Sequence, residues 1–219
     1  MVLKLYGSTT STCTLTVATV LYEKQIPYEF HNIDRSIGGH RTPEYLEKQP
    51  FGEVPYIVDD GFLLYESRAI CRYLALKYAD KDPKLIPDPT DLKATARFEQ
   101  GASIEQSNFD AIASRAVYEN AFKPLFGLVP DPKVFHDLIA KLGANLQGYE
   151  MILGKQKYIA GDEISLADLF HLSYGAWLKV DGSEFMSEQG PNVARWWNEI
   201  TSRASWQAVK AGVPPKPLF

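Results

Sequence analysis

The turn Gln49-Pro50-Phe51-Gly52-Glu53 leads into Val54-Pro55-Tyr56, one hairpin ahead of Tyr65-Glu66-Ser67-Arg68-Ala69-Ile70. A proline at the first residue of a strand costs no ladder hydrogen bond. If Val54-Pro55 is cis, the turn exposes the Val54 N–H and C=O toward a cleft, where an extended peptide pairs with them as an added strand. A trans edge-strand proline is the commoner case for an arbitrary X–Pro pair. Glu66-Ser67 sits where a strand feeds a helix. The Ser67 N–H and hydroxyl suit a carboxylate at that helix N-terminus, and Glu66 suits an ammonium group. For an isolated Glu-Ser, capping alone is the favoured reading, and the Val-Pro one hairpin earlier shifts the balance. Taken together, the two stretches describe a site for a small peptide that carries both a carboxylate and an amine.

Ser11 opens a second line of chemistry. A helix that starts there leaves its first N–H groups unpaired and favours negative charge at that end. A serine hydroxyl at this point can donate to a thiolate. A free thiol has a pKa of about 8.5, so little of it is ionised at neutral pH. Lowering that value by roughly two units takes about 2.7 kcal/mol of selective stabilisation. One charge-assisted hydrogen bond, worth about 1.5–3 kcal/mol, together with the helix terminus is enough. Ser11 also suits a plain N-cap, and Ser8, Thr9, Thr10, Thr12 and Thr14 are rival hydroxyls.

Other candidates are weaker. His40 and Arg41 could pair with a second carboxylate or stand as solvated surface residues. Cys13 could be a nucleophile at the helix start, and Cys71 reads as a core helix residue. Ser165-Leu166-Ala167-Asp168 resembles a capping box, with Asp168 in place of the usual Glu or Gln. Phe109, Tyr118, Phe122, Tyr174 and Trp177 could line a pocket, although aromatics at helical spacing are more often core.

The elements that must position these groups follow from the pattern. Residues 2–6 read as a strand, 12–24 as a helix with Val17, Val20 and Leu21 at helical spacing, and 28–33 as a second strand. That βαβ order favours a parallel pair. A short helix fits 43–48. Asp59-Asp60-Gly61 between apolar runs marks a hairpin of 54–58 with 62–65, and 66–79 is an amphipathic helix. The proline-rich stretch 81–91 reads as a linker. Beyond it the pattern holds no convincing strand, and helices fit 92–113, 117–125, 132–153, 165–177 and 193–202. The expected fold is an α/β thioredoxin-like domain over 1–80 followed by an all-α helical bundle over 92–219.

Composition narrows the class. The chain has 219 residues, 45% hydrophobic and 23% charged, with a net charge of −4. This suits a globular protein and argues against a dedicated nucleic-acid binder. Two cysteines make no CxxC and no metal-ligand cluster, so a reducing compartment is the simpler reading. With no stretch that reads as a signal peptide or membrane span, the sequence reads as cytosolic and free of membrane.

With these motifs in place the sequence resembles the cytosolic glutathione transferases along its whole length. Pro-Phe-Gly-Glu-Val-Pro, Tyr-Glu-Ser-Arg-Ala-Ile and Ile164-Ser165-Leu166-Ala167-Asp168 carry the resemblance in combination. Within the family it looks most like the phi class, through Asn108-Phe109-Asp110, Phe122-Lys123-Pro124-Leu125-Phe126-Gly127 and the position of Ser11. The resemblance implies that Ser11 stabilises the glutathione thiolate, that Val54 pairs with the cysteinyl moiety beside a cis Pro55, and that Glu66 and Ser67 bind the γ-glutamyl end. It places His40 and Arg41 at the glycine carboxylate, and Thr12, Tyr118, Phe122 and Trp177 near an electrophile pocket. Glu53 departs from the family's usual Gln, and its carboxylate would repel the ligand's glycine carboxylate. The activity implied is conjugation of glutathione to hydrophobic electrophiles, with reduction of organic peroxides open to the same thiolate. Glutathione is then the co-substrate, no metal or tight cofactor is implied, and a homodimer is expected. A non-catalytic glutathione-dependent carrier of apolar small molecules and thiol-disulfide exchange through Cys13 are the competing readings.

Overall fold

The computed structural model describes residues 2–180 and 182–217. The chain forms two compact units, one of Met1–Ile86 with Arg203–Phe219 and the other of Pro87–Ser202.

The first unit is built on strands β1 (Leu3–Gly7), β2 (Tyr28–Asn32), β3 (Tyr56–Asp59) and β4 (Phe62–Tyr65), in sheet order β2-β1-β3-β4. β1 and β2 are parallel and the other pairs antiparallel. Alternation along the strands sets the faces. Leu3, Leu5 and Ile57 are buried, whereas Tyr6, His31 and Tyr56 stack ring on ring, with centroids 4.5 Å apart for each Tyr6 pair. Helices α1 (Thr12–Glu23) and α3 (Ser67–Lys77) pack on one another, and α2 (Pro43–Leu46) follows a 3₁₀ turn at Gly39–Arg41. α1 is buried almost all round despite its threonines. Thr16 and Thr19 turn their hydroxyls back onto the Thr12 and Leu15 carbonyls at 3.0 and 2.8 Å, which satisfies them without water. β1 ends at Gly7 because α1 comes so close there: a Cβ would meet Thr14 Cγ2 at 2.5 Å.

The second unit holds α4 (Leu92–Ile104), α5 (Ala111–Val117), α6 (Lys123–Leu125), α7 (Pro132–Leu153), α8 (Leu166–Leu169), α9 (Leu172–Gly175) and α10 (Pro191–Thr201). Its core is organised around the fully buried Asp168. That carboxylate accepts from Ile159 N–H, Ser165 N–H and Trp196 Nε1–H at 2.9 Å each and from Ser165 Oγ–H at 3.0 Å. Burial pushes its pKa up in spite of these four donors. The Ser165–Asp168 capping box read from the sequence is therefore present, with two extra donors recruited from distant segments.

Four expectations change. The stretch 203–219 belongs with the first unit and carries a further helix, α11 (Ala204–Val209). Six residues are too few to show helical periodicity, and the side chains that dock it, Trp206 and Val209, are buried only by tertiary packing. The run 92–125 is not two plain helices, because wide π-turns at Glu105–Asp110 and Tyr118–Phe122 interrupt it. The run 165–177 breaks into α8 and α9 around Phe170 and His171. A two-residue strand pair, β5 (Lys179–Val180) and β6 (Ser183–Glu184), also exists where no strand was expected.

Candidate active site

Ser11 closes a turn that begins at Ser8, its N–H donating to Ser8 O at 3.1 Å. It occupies the N-cap of α1 with extended backbone (φ −67°, ψ 128°), and its carbonyl accepts the first helical bond, from Leu15 N–H at 2.8 Å. Its hydroxyl makes no cap bond, and no acidic side chain stands in the first turn of α1. Among the described residues the half-buried hydroxyl has no hydrogen-bond partner. Helix dipole and hydroxyl are both uncommitted.

The Val54-Pro55 bond is cis. Among the described residues neither the Val54 N–H nor its C=O is hydrogen-bonded. The residues before it are fastened. Glu53 N–H donates to the buried Gln49 side chain at 3.1 Å, and Glu53 O accepts from Tyr45 Oη–H at 2.6 Å. Burial, then the neighbouring Tyr56 and Glu53, holds the Tyr45 phenol far above its ordinary range, so it stays a neutral donor. Gly52 (φ +63°) packs directly on the 3₁₀ turn, where a Cβ would meet His40 O at 3.2 Å and Arg41 Cγ at 3.6 Å.

That contact places His40 and Arg41 beside the Glu53 turn. Burial lowers the His40 pKa first, Arg35 and Arg41 lower it further, and Glu53 opposes them. His40 Nδ1 is buried and has no partner among the described residues. Arg41 and Glu53 are exposed.

Glu66 adopts a left-handed backbone (φ 71°, ψ 109°) at the N-cap of α3, uncommon for a residue with a side chain and found at sites where the surroundings impose it. Ser67 follows as the first, buried residue of α3, with no acidic residue in the first turn. Sheet register gathers these pieces. Tyr56 pairs with Tyr6 on one side and with Tyr65 on the other. Pro55, the end of β1 and Glu66 therefore leave the sheet at the same edge, where parallel β2 also ends.

The aromatic residues divide. Phe122 and Trp177 meet edge to face at 5.6 Å and Tyr118 is 43% exposed, all within the second unit. Thr12 lies in the first unit and is buried. Phe109 and His171 are core, their rings 4.6 Å apart. Glu119, buried in the π-turn, accepts from Lys123 Nζ at 2.6 Å and Asp131 N–H at 2.5 Å, tying both ends of the apolar loop between α6 and α7. Among the described residues no cluster of three or more His, Cys, Asp or Glu is placed to hold a metal ion, and no helix is long and apolar enough to cross a membrane. Cys13 and Cys71 form no disulfide, and burial pushes the Cys71 pKa far up. Sequence reading missed Tyr45 and Gln49, the two side chains that fasten the Val54 turn. Gln49 opens the turn stretch but carried no assigned role, Tyr45 lies outside it, and the folded turn brings both side chains to Glu53.

Two family models match the chain: the glutathione S-transferase N-terminal domain over residues 5–82 and the glutathione S-transferase C-terminal domain over residues 120–204. The chain belongs to the glutathione S-transferase family and is a glutathione-conjugating enzyme of the phi type. It is 48% identical to glutathione S-transferase hmp2 of Hypomyces subiculosus over 94% of this chain and 96% of that one. It is 35% identical to glutathione S-transferase F6 of Arabidopsis thaliana over 94% and 98%. Among solved structures, glutathione transferase F7 of Populus trichocarpa superposes with a TM-score of 0.91 at 38% identity, covering 97% of this chain and all of that one.

Proposed function

We propose that this transferase activates the glutathione thiol with Ser11 and delivers the thiolate to hydrophobic electrophiles. The observation that carries this reading is the uncommitted Ser11 hydroxyl at the start of α1, on the sheet edge from which Val54-Pro55 and Glu66-Ser67 also leave. An oxygen donor and an uncompensated helix dipole favour the thiolate over the thiol. The open N–H and C=O of Val54 suit the cysteinyl backbone of the tripeptide. Ser67 suits the γ-glutamyl carboxylate and Glu66 its ammonium. His40 and Arg41 suit the glycine carboxylate, beside the opposing Glu53. In the second unit Tyr118, Phe122 and Trp177 offer apolar surface to the electrophile, with Thr12 near the helix start. Glutathione acts as co-substrate, with no resident metal or cofactor in the scheme, and organic peroxides are further acceptors of the same thiolate. The expected assembly is a homodimer, and sedimentation equilibrium at twice the 24.6 kDa chain mass checks it.

The test is Ser11→Ala, read by thiolate absorbance of bound glutathione against pH. The bound thiol pKa is expected to rise by roughly one to two units, with a drop of about 10- to 100-fold in kcat/KM near pH 6.5. A wild-type pH profile in the variant would remove Ser11 from the chemistry.

A further inference from the structure

The last residues of the chain return to the first unit and hold α1 at both ends. At its C-terminal end the buried Glu23 carboxylate accepts Arg203 Nε–H at 2.6 Å and Nη2–H at 2.7 Å, and Ser205 Oγ–H as well. α11 then packs along α1. The chain passes Gly212 (φ +138°), whose Cβ direction faces Thr9, and the Val213 N–H donates to Thr9 O at 3.0 Å. Thr9 lies inside the Ser8–Ser11 turn, two residues ahead of the hydroxyl that the proposed function assigns to thiol activation. Past that contact, Pro214 O accepts Tyr28 Oη–H at 3.1 Å and Pro215 O accepts Phe30 N–H at 3.4 Å, which fastens the tail to β2.

We infer that the C-terminal segment 203–217 is a positioning element for thiol activation, acting through the Val213 N–H on the Ser8–Ser11 turn; this rests on the reading of Ser11 as the activating hydroxyl. A hydrogen bond weakens steeply with distance and angle, so the aim of a single hydroxyl sets how far it lowers a thiol pKa. The Ser8–Ser11 turn has one internal backbone bond, from Ser11 to Ser8. The Thr9–Val213 bond adds an anchor from outside the turn, on the carbonyl of the peptide plane that precedes Thr10. Val213 touches no substrate in this scheme, and its effect passes entirely through Ser11.

The experiment compares Val213→Pro, which removes the donor, with Val213→Ala, which keeps the donor and loses the buried side chain. Val213 precedes a proline, so its backbone is already biased to the extended region that proline accepts. In Val213→Pro the thiol pKa of bound glutathione is expected to rise by about half to one unit, and kcat/KM near pH 6.5 to fall about three- to tenfold. The rates converge with wild type at high pH, where the thiol ionises unaided, and glutathione KM stays within about twofold. Val213→Ala is expected to lower the melting temperature and leave the pH profile in place. Tyr28→Phe, which keeps every backbone donor, is expected to give a smaller shift in the same direction as Val213→Pro. Equal pH shifts in the Pro and Ala variants overturn the role of the N–H. A shift in Ser11→Ala with none in Val213→Pro or Tyr28→Phe overturns the role of the tail alone. No shift in Ser11→Ala overturns the Ser11 reading and this inference with it.

Discussion

Glu53 stands exposed beside His40 and Arg41, where the proposed function seats a carboxylate. Replacing it by Gln removes one repulsive charge and keeps the shape. Glu53→Gln is expected to lower the glutathione KM about three- to tenfold in dilute buffer, and the gap should narrow near 0.5 M salt as screening sets in. Equal KM values for both proteins at low salt would show that Glu53 faces away from the ligand. His40 has its pKa lowered by burial, then by Arg35 and Arg41, so it is mostly neutral at pH 7 and gains its proton only below its ordinary range near 6.5. Protonation adds attraction for an anion. Calorimetric binding of S-methylglutathione, which has no thiol to ionise, should therefore tighten as pH drops below about 6.5. That step should vanish in His40→Gln, and its survival would assign the titration elsewhere.

At the scale of elements, two close approaches set how helices sit. Gly7 lets α1 lie against the end of β1, opposite Thr14, whose buried hydroxyl has no partner among the described residues. Gly7→Ala is expected to destabilise the protein by about 1–3 kcal/mol through overpacking. Trimming Thr14 to Ala in the same chain should restore much of that loss, and a double-mutant cycle in urea reads the coupling; strict additivity would mean the strand end is not crowded. In the second unit Glu150, on α7, caps α10. Its carboxylate accepts Asn192 N–H at 3.1 and 3.0 Å, Asn192 Nδ2–H at 2.6 Å and Val193 N–H at 2.9 Å. Burial pushes its pKa up, but the Val193 and Asn192 donors prevail and the net shift is downward. A depressed carboxylate contributes stability that is present above its unfolded pKa, about 4.3, and lost as pH falls through the lower folded value. Glu150→Ala should accordingly cost about 1–2 kcal/mol at pH 7 and progressively less on acidification, as read by urea midpoints.

On the scale of the whole molecule, the first unit is completed only by the end of the chain. Glu23 and Arg203 are far apart in sequence, yet the ion pair joins α1 to the segment that leads into α11. Breaking a pair that leaves one charge buried is costly. Arg203→Leu is expected to destabilise the protein by about 2–4 kcal/mol, and Glu23→Gln with Arg203→Leu should recover part of it. A double variant no more stable than the single would argue that Arg203 acts by packing alone. Long-range pairing of this kind also raises the contact order of the first unit, which goes with slower folding.

Much of this architecture was legible in the residues. The βαβ unit, the Asp60-Gly61 hairpin, the helix over 132–153 and the Ser165–Asp168 box depend on period, turn chemistry and capping, all of which act over a few neighbouring residues. Val54-Pro55, Glu66 and Ser67 were picked out for the same reason, from a proline at a strand start and a polar pair at a helix start, features that a plain edge strand and a plain cap also fit. Whether they converge was decided by sheet register, because Tyr56 must pair with both Tyr6 and Tyr65 before the three chain ends share an edge. The freedom of the Ser11 hydroxyl was likewise a tertiary outcome, since spacing alone favoured a plain N-cap. So was the return of residues 203–217 to α1, a contact between segments whose separation no local pattern encodes, whereas the bonds from Tyr45 and Gln49 to Glu53 span only a few residues and went unread because no turn signature specifies them.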